Sequence, residues 1–186
     1  MHWDIAEAAG CTPQALRRLF GSYASGVAVI GARGVDGRLV GMTVNSFGSV
    51  SLSPPLVMYC PAKSLAAFDV YASADAFSVS VLSAAQQRLS ERFARPGVGK
   101  WDAVAYDTGP DGTPVIRDAL AAFECRTVQR VDAGDHLIVI GRIQRCSGGP
   151  PHAPLLFHGG RYGRLVDEDA EHARVQAQIH FQGWGG

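Results

Sequence analysis

The spacing of apolar residues changes several times along the chain, and each change marks an element. Thr12 suits a helix N-cap and Pro13 the first helical position. Leu16, Leu19, Phe20 and Tyr23 then recur at helical spacing, with Arg17 and Arg18 on the other face, and Gly21 and Gly26 punctuate the end. From Gly26 the period becomes that of strands. Val27, Val29 and Ile30 are answered across Val35-Asp36-Gly37-Arg38 by Leu39 to Thr43, a hairpin signal carried by the Asp-Gly pair. Ser46 to Leu52 alternates, Ser53-Pro54-Pro55 breaks the run, and Leu56 to Cys60 forms a further strand that Pro61 stops. Ser64 to Ser73 predicts a short helix, Phe77 to Leu82 a strand, and Ala84 to Arg95 a second helix capped by Ser83. Arg95 to Lys100 reads as a mobile loop and residues 107–114 as turns. Two long strands follow, 121–131 and 136–144, then a short one at Leu155 to His158.

Six or more strands with two or three short helices imply a mainly antiparallel barrel with helical insertions. The strands do not alternate with helices, which argues against a doubly wound parallel sheet. After Leu165 the composition turns charged and polar, so residues 1–165 read as one domain. Residues 166–186 read as a tail, with an exposed helix over Asp167–Gln178.

Composition narrows the function classes. The chain has 186 residues, 47% hydrophobic and 18% charged, which a packed core requires and a disordered chain does not. Lysine plus arginine number 17 and so do aspartate plus glutamate, which leaves no basic excess for a nucleic-acid binder. No apolar run approaches ~20 residues, the length of a membrane span. The start, MHWDIAEAAG, lacks the features of a signal peptide, so a cytoplasmic protein is expected. The four cysteines, 11, 60, 125 and 146, have no C-x-x-C spacing and read as free, mostly buried thiols in a reducing compartment.

No nucleophile elbow, P-loop, zinc motif or dinucleotide fingerprint occurs, and no metal site is expected. The unusual stretch is Gly41 to Val57, whose small residues would let a flat ligand approach the backbone. Thr43, Asn45, Ser46 and Ser49 there offer donors and acceptors to a heterocycle edge. An edge strand with a serine-rich turn would explain the same composition. Lys63 before Ser64 suits either a phosphate or an ordinary N-cap. Gly134-Asp135-His136 is a hairpin turn or a ligand contact at a barrel rim. His158-Gly159-Gly160-Arg161-Tyr162 is a terminal turn or a segment offering charge and stacking.

Taken in order, these segments resemble a family. Ser-Gly-Val at 25–27, Gly-Met-Thr-Val-Asn-Ser-Phe at 41–47, Ser-Val-Ser-Leu-Ser-Pro-Pro-Leu-Val at 49–57 and Lys-Ser at 63–64 are the first part. Glu-Cys at 124–125, Gly-Asp-His-x-Ile-x-x-Gly at 134–141 and Pro-Leu-Leu-Phe-His-Gly-Gly-Arg-Tyr at 154–162 complete it. Together they are similar to the short-chain flavin reductases, over about residues 14–165. The resemblance implies an FMN-binding split β-barrel, usually a homodimer. It implies an enzyme that passes hydride from NADH or NADPH to FMN, or alternatively FAD, and supplies reduced flavin to a partner monooxygenase. By the same resemblance Met42, Thr43, Val44, Asn45 and Ser46 line the isoalloxazine ring, with Ser49, Val50 and Ser51 next along that wall. Lys63 and Ser64 hold the ribityl phosphate, and His136, His158, Arg161 and Tyr162 lie toward the nicotinamide. Ser53 departs from the aspartate often found before the two prolines. No side chain is expected to act as a nucleophile, since hydride transfer asks chiefly that two rings be positioned. Three other readings stand beside it: a flavin-bound reductase of a corrinoid or ferric chelate, a non-enzymatic flavin-binding barrel, and an amine oxidase of the pyridoxamine-phosphate type. The last would require a larger basic cluster than Lys63 provides.

Overall fold

The computed structural model describes residues 10–165. Thr12 caps α1 (Pro13–Phe20), its hydroxyl accepting a hydrogen bond from the Ala15 amide at 3.2 Å. The helix forms where the spacing predicts, but it buries none of its residues, and Leu19 and Phe20 stay exposed. A two-residue strand, β1 (Ser25–Gly26), leads into β2 (Ala28–Arg33) and β3 (Leu39–Val44). Gly37, at φ +83°, turns the β2–β3 hairpin, and the Asp36 carboxylate accepts from the Arg38 amide at 3.0 Å. Then come β4 (Gly48–Leu52), β5 (Pro55–Tyr59), α2 (Phe68–Ser73) and β6 (Ala76–Val81). A 3-10 turn at Ala84–Gln86 precedes α3 (Gln87–Ala94). The chain continues through β7 (Tyr106–Thr108), β8 (Pro114–Ile116), β9 (Ala121–Ala133), β10 (His136–Gly148), β11 (Leu156–His158) and β12 (Arg161–Gly163).

The fold is mainly β and antiparallel. Seven strands form one sheet in the order β3-β2-β6-β9-β10-β5-β4, beside a three-stranded sheet β1-β11-β12 and the pair β7-β8. Met42 of β3 and Val57 and Tyr59 of β5 come from opposite parts of the large sheet. They nevertheless share one core with Ile30, Phe77, Val79, Cys125 and Val139, so the sheet curls around that core. A second cluster, including Val29, Leu82, Phe93 and Trp101, packs on the outer face. Neighbours Val29 and Ile30 thus enter different clusters. Burial on both faces is why β2 reads as an apolar run rather than an alternation.

Three expectations need correction. The first helical turns expected from Ser64 are absent, and α2 begins at Phe68. The segment before it is tied down from outside: the Lys63 amide donates to the Asp135 carbonyl at 2.8 Å, and successive turns close at Leu65 and Phe68. The helix expected from Ala84 opens as a 3-10 turn, with the Ser83–Gln86 capping box around it. Of the four free cysteines, Cys125 is buried, Cys11 and Cys60 are half-buried and Cys146 is exposed. The expected helix at Asp167–Gln178 lies outside the described residues. Among those residues no helix is long and apolar enough to cross a membrane.

Candidate functional site

One cleft of about 740 Å³ opens between four segments far apart in sequence. They are β3 with the turn after it, the segment Cys60–Ala67 with Tyr71 behind it, the end of α3 with the Arg95–Lys100 loop, and His136. The volume falls within the ~300–1,000 Å³ usual for small-molecule sites.

Strand β3 can serve as a wall because its neighbours hold it firmly. Gly41 leaves room for aromatic packing behind it, since a Cβ there would lie 2.5 Å from the Phe93 ring and 3.0 Å from Trp101. Phe93 and Trp101 pack with ring centroids 4.6 Å apart. The Thr43 hydroxyl donates to the Ser90 carbonyl at 2.6 Å, and the Ser90 hydroxyl meets the Tyr162 hydroxyl at 2.8 Å. Ser90, on α3, therefore joins the cleft wall to the small sheet. The Ser46 hydroxyl accepts from the Cys60 amide at 3.1 Å and closes the turn between β3 and the strand pair β4–β5. Burial pushes the Cys60 thiol above its usual range, partly offset by Ser46.

His136 reaches the cleft because its hairpin is stitched to the Pro61–Lys63 segment. It bridges Ala62, and the Leu137 amide donates to the Pro61 carbonyl at 3.0 Å. Its Nδ1 lies 2.7 Å from the Asp135 carboxylate, which fixes the ring's orientation. That hydrogen bond, with the histidine's charge, holds the Asp135 carboxyl below the ordinary carboxylate range.

The charge of the lining is one-sided. Arg38, Arg95 and Lys100 line the cleft, and among the described residues neither Asp nor Glu does. Arg38 pairs with Asp36 at 3.7 Å and Asp69 at 3.6 Å. The Lys100 ammonium instead donates to the carbonyls of Phe93 at 3.0 Å and Gly41 at 3.3 Å. Partial burial holds its pKa below that of an ordinary lysine.

Of the residues singled out from sequence, the structure brings Met42, Thr43, Val44, Asn45, Ser46, Ser64 and His136 to this cleft. Ser49, Val50 and Ser51 lie on β4, at the edge of the sheet, and do not line it. Lys63 does not line it either, and its ammonium holds both carboxylate oxygens of Asp132 at 2.8 Å. His158, Arg161 and Tyr162 sit on β11–β12, away from the lining, with Tyr162 bonded to Ser90 and stacked edge-on against Phe157. Sequence reasoning missed Cys60, Tyr71, Phe93 and the Arg95–Lys100 loop as site residues. The loop's two glycines between flanking cations were the available signal, whereas nothing local marks Tyr71. Among the described residues no group of three His, Cys, Asp or Glu could hold a metal.

Comparison with known proteins identifies the family. Residues 20–166 match the family described as "Flavin reductase like domain". The chain is 43% identical over 156 residues to the FMN reductase (NADH) SmoA of Agrobacterium fabrum, covering 84% of this chain and 88% of that protein. It spans only 54% of the length of a Rhizobium meliloti relative, to which it is 39% identical over 169 residues. Among solved structures, the NADH:FAD oxidoreductase SgcE6 of Streptomyces globisporus superposes with a TM-score of 0.81 at 36% identity, over 89% of this chain and 99% of that one. The flavin reductase component of a bacterial two-component tryptophan halogenase, BorF, gives 0.78 at 35% identity, over 84% and 99%.

Proposed function

Because the chain belongs to the flavin reductase-like domain family, we propose that it is an NAD(P)H:flavin oxidoreductase that supplies reduced flavin to a partner monooxygenase. The cleft carries this reading. At about 740 Å³ it has room for a fused ring, it is walled by β3, and Arg38, Arg95 and Lys100 line it with no carboxylate among the described residues. Those residues fit a flat heterocycle with an anionic tail, FMN or alternatively FAD.

When bound, flavin supplies the hydride acceptor, with NADH or NADPH as donor. The chain supplies position and electrostatics. Met42 to Ser46 would hold the ring, with Ser64 and His136 in the same lining, and Asp135 keeps the His136 ring in one orientation. Lys100 and Arg95 take the anionic tail, because Lys63 is engaged by Asp132. Fixed donors beside the ring favour the negative charge that develops on reduction. Ser49, Val50 and Ser51 lie outside this lining, and His158, Arg161 and Tyr162 are assigned to the nicotinamide side on the family resemblance rather than on the cleft. We read the curled sheet as a split β-barrel, the molecule as a homodimer, and its location as the cytoplasm.

The test is loss of reduced-nicotinamide absorbance with NADH or NADPH and FMN, FAD or riboflavin in turn. Turnover is expected, with the nucleotide and flavin preferences read from the same assay. Flavin binding without turnover would assign a binding module instead. His158→Ala should raise the KM for the nicotinamide several-fold and leave flavin affinity unchanged; an unchanged KM removes His158 from the site.

A further inference from the structure

Three buried polar side-chain atoms have no hydrogen-bond partner among the described residues: Ser25 Oγ, Trp101 Nε1 and Tyr71 Oη. Of these three residues only Tyr71 lines the cleft. It stands on α2, 2% exposed, edge-on to Tyr59 with 6.4 Å between centroids, and Tyr59 in turn meets Phe77 at 4.8 Å. These aromatic contacts hold the ring but give its hydroxyl nothing to bond. A buried phenol normally finds a partner, because leaving a desolvated hydroxyl unpaired is costly. Burial, with Tyr59 beside it, also pushes the Tyr71 pKa far above the ordinary tyrosine value, so the hydroxyl keeps its proton. Ala62, Leu65, Ala66 and Ala67 line the same cleft as Tyr71.

We propose that the Tyr71 hydroxyl is a ligand-reading donor, completed by a hydrogen bond to an acceptor on the heterocycle bound in the cleft. The inference rests on the flavin reading above and adds to it a buried contact to the ring, distinct from the cationic contact to the tail.

Tyr71→Phe tests it, because a missing partner and a structural hydrogen bond predict opposite effects. With flavin fluorescence titration, the substitution should raise the Kd for FMN and for riboflavin alike, by roughly 5- to 10-fold. The equal loss places the contact on the ring, since riboflavin lacks the phosphate. The melting temperature of the ligand-free variant should stay the same or rise, because an unpaired buried hydroxyl has been removed. An unchanged Kd overturns the proposal, and so does a fall in the ligand-free melting temperature, which would reveal an internal partner. Wild-type protein that binds no flavin at all would overturn the flavin reading, and this inference with it.

Discussion

Lys100 carries a positive charge on backbone carbonyls alone, with burial holding its pKa down. The sign of the consequence follows from linkage. Between the lowered folded pKa and the unfolded value of about 10.4, the unfolded chain binds more protons, so stability rises with pH across that window. Below the folded pKa both states are charged and the desolvation cost is fully present. Lys100→Met should flatten the rise in denaturant midpoint that the wild type shows just below the ordinary lysine pKa. It should also weaken FMN roughly tenfold while leaving riboflavin nearly unchanged, since a charged hydrogen bond to phosphate is lost. Equal effects on both flavins would move the anionic tail elsewhere. The cysteines give a second measurement. Burial pushes the Cys125 thiol up to about 12 and raises Cys60 less far, so both carry less reactive thiolate near neutral pH. Thiol titration at pH 8 should find exposed Cys146 fastest and Cys125 inert, with Cys60 slow and slowed further by added FMN. At this scale the sequence was partly legible. Thr43, Asn45 and Ser46 stand out by composition, although an edge strand with a serine-rich turn would have the same composition. Lys63 looked available because its partner, Asp132, lies 69 positions away.

At the scale of elements, legibility follows locality. The β2–β3 hairpin is written in Asp36 and Gly37, whose conformation and capping are local. The start of α2 is decided instead by the bond from the Lys63 amide to the β9–β10 hairpin, which no nearby residue announces. The Arg95–Lys100 loop is likewise recognisable as a loop, but its place on the cleft depends on α3 packing against β3. Gly41 tests that packing. Gly41→Ala sets a methyl group against the Phe93 and Trp101 rings, which are themselves packed together. Overpacking of this kind costs about 1–3 kcal/mol, or roughly 2–4 °C of melting temperature per kcal/mol for a chain this size. A melting temperature equal to wild type would show that α3 yields to the methyl group.

For the whole molecule, the described strand order leaves β3 and β4 as the two edges of the large sheet. Leu52 on β4 is 92% exposed and Phe20 on α1 is 72% exposed, apolar surface that the proposed homodimer would cover. Sedimentation at micromolar concentration should therefore return the mass of two chains, and a single-chain mass would remove the homodimer reading. The mainly β, antiparallel character of the large sheet was legible as a count of strands. Its edges were not, because pairing order is a property of the assembled sheet.

The cleft draws on residues from Arg38 to His136, and none of its four segments supplies half of the lining. Contacts this distant in sequence close late, after local hairpins and turns have formed. During refolding, flavin capture should then lag behind the recovery of far-ultraviolet dichroism. Bound flavin would thus report that the last long-range strand pairings have been made.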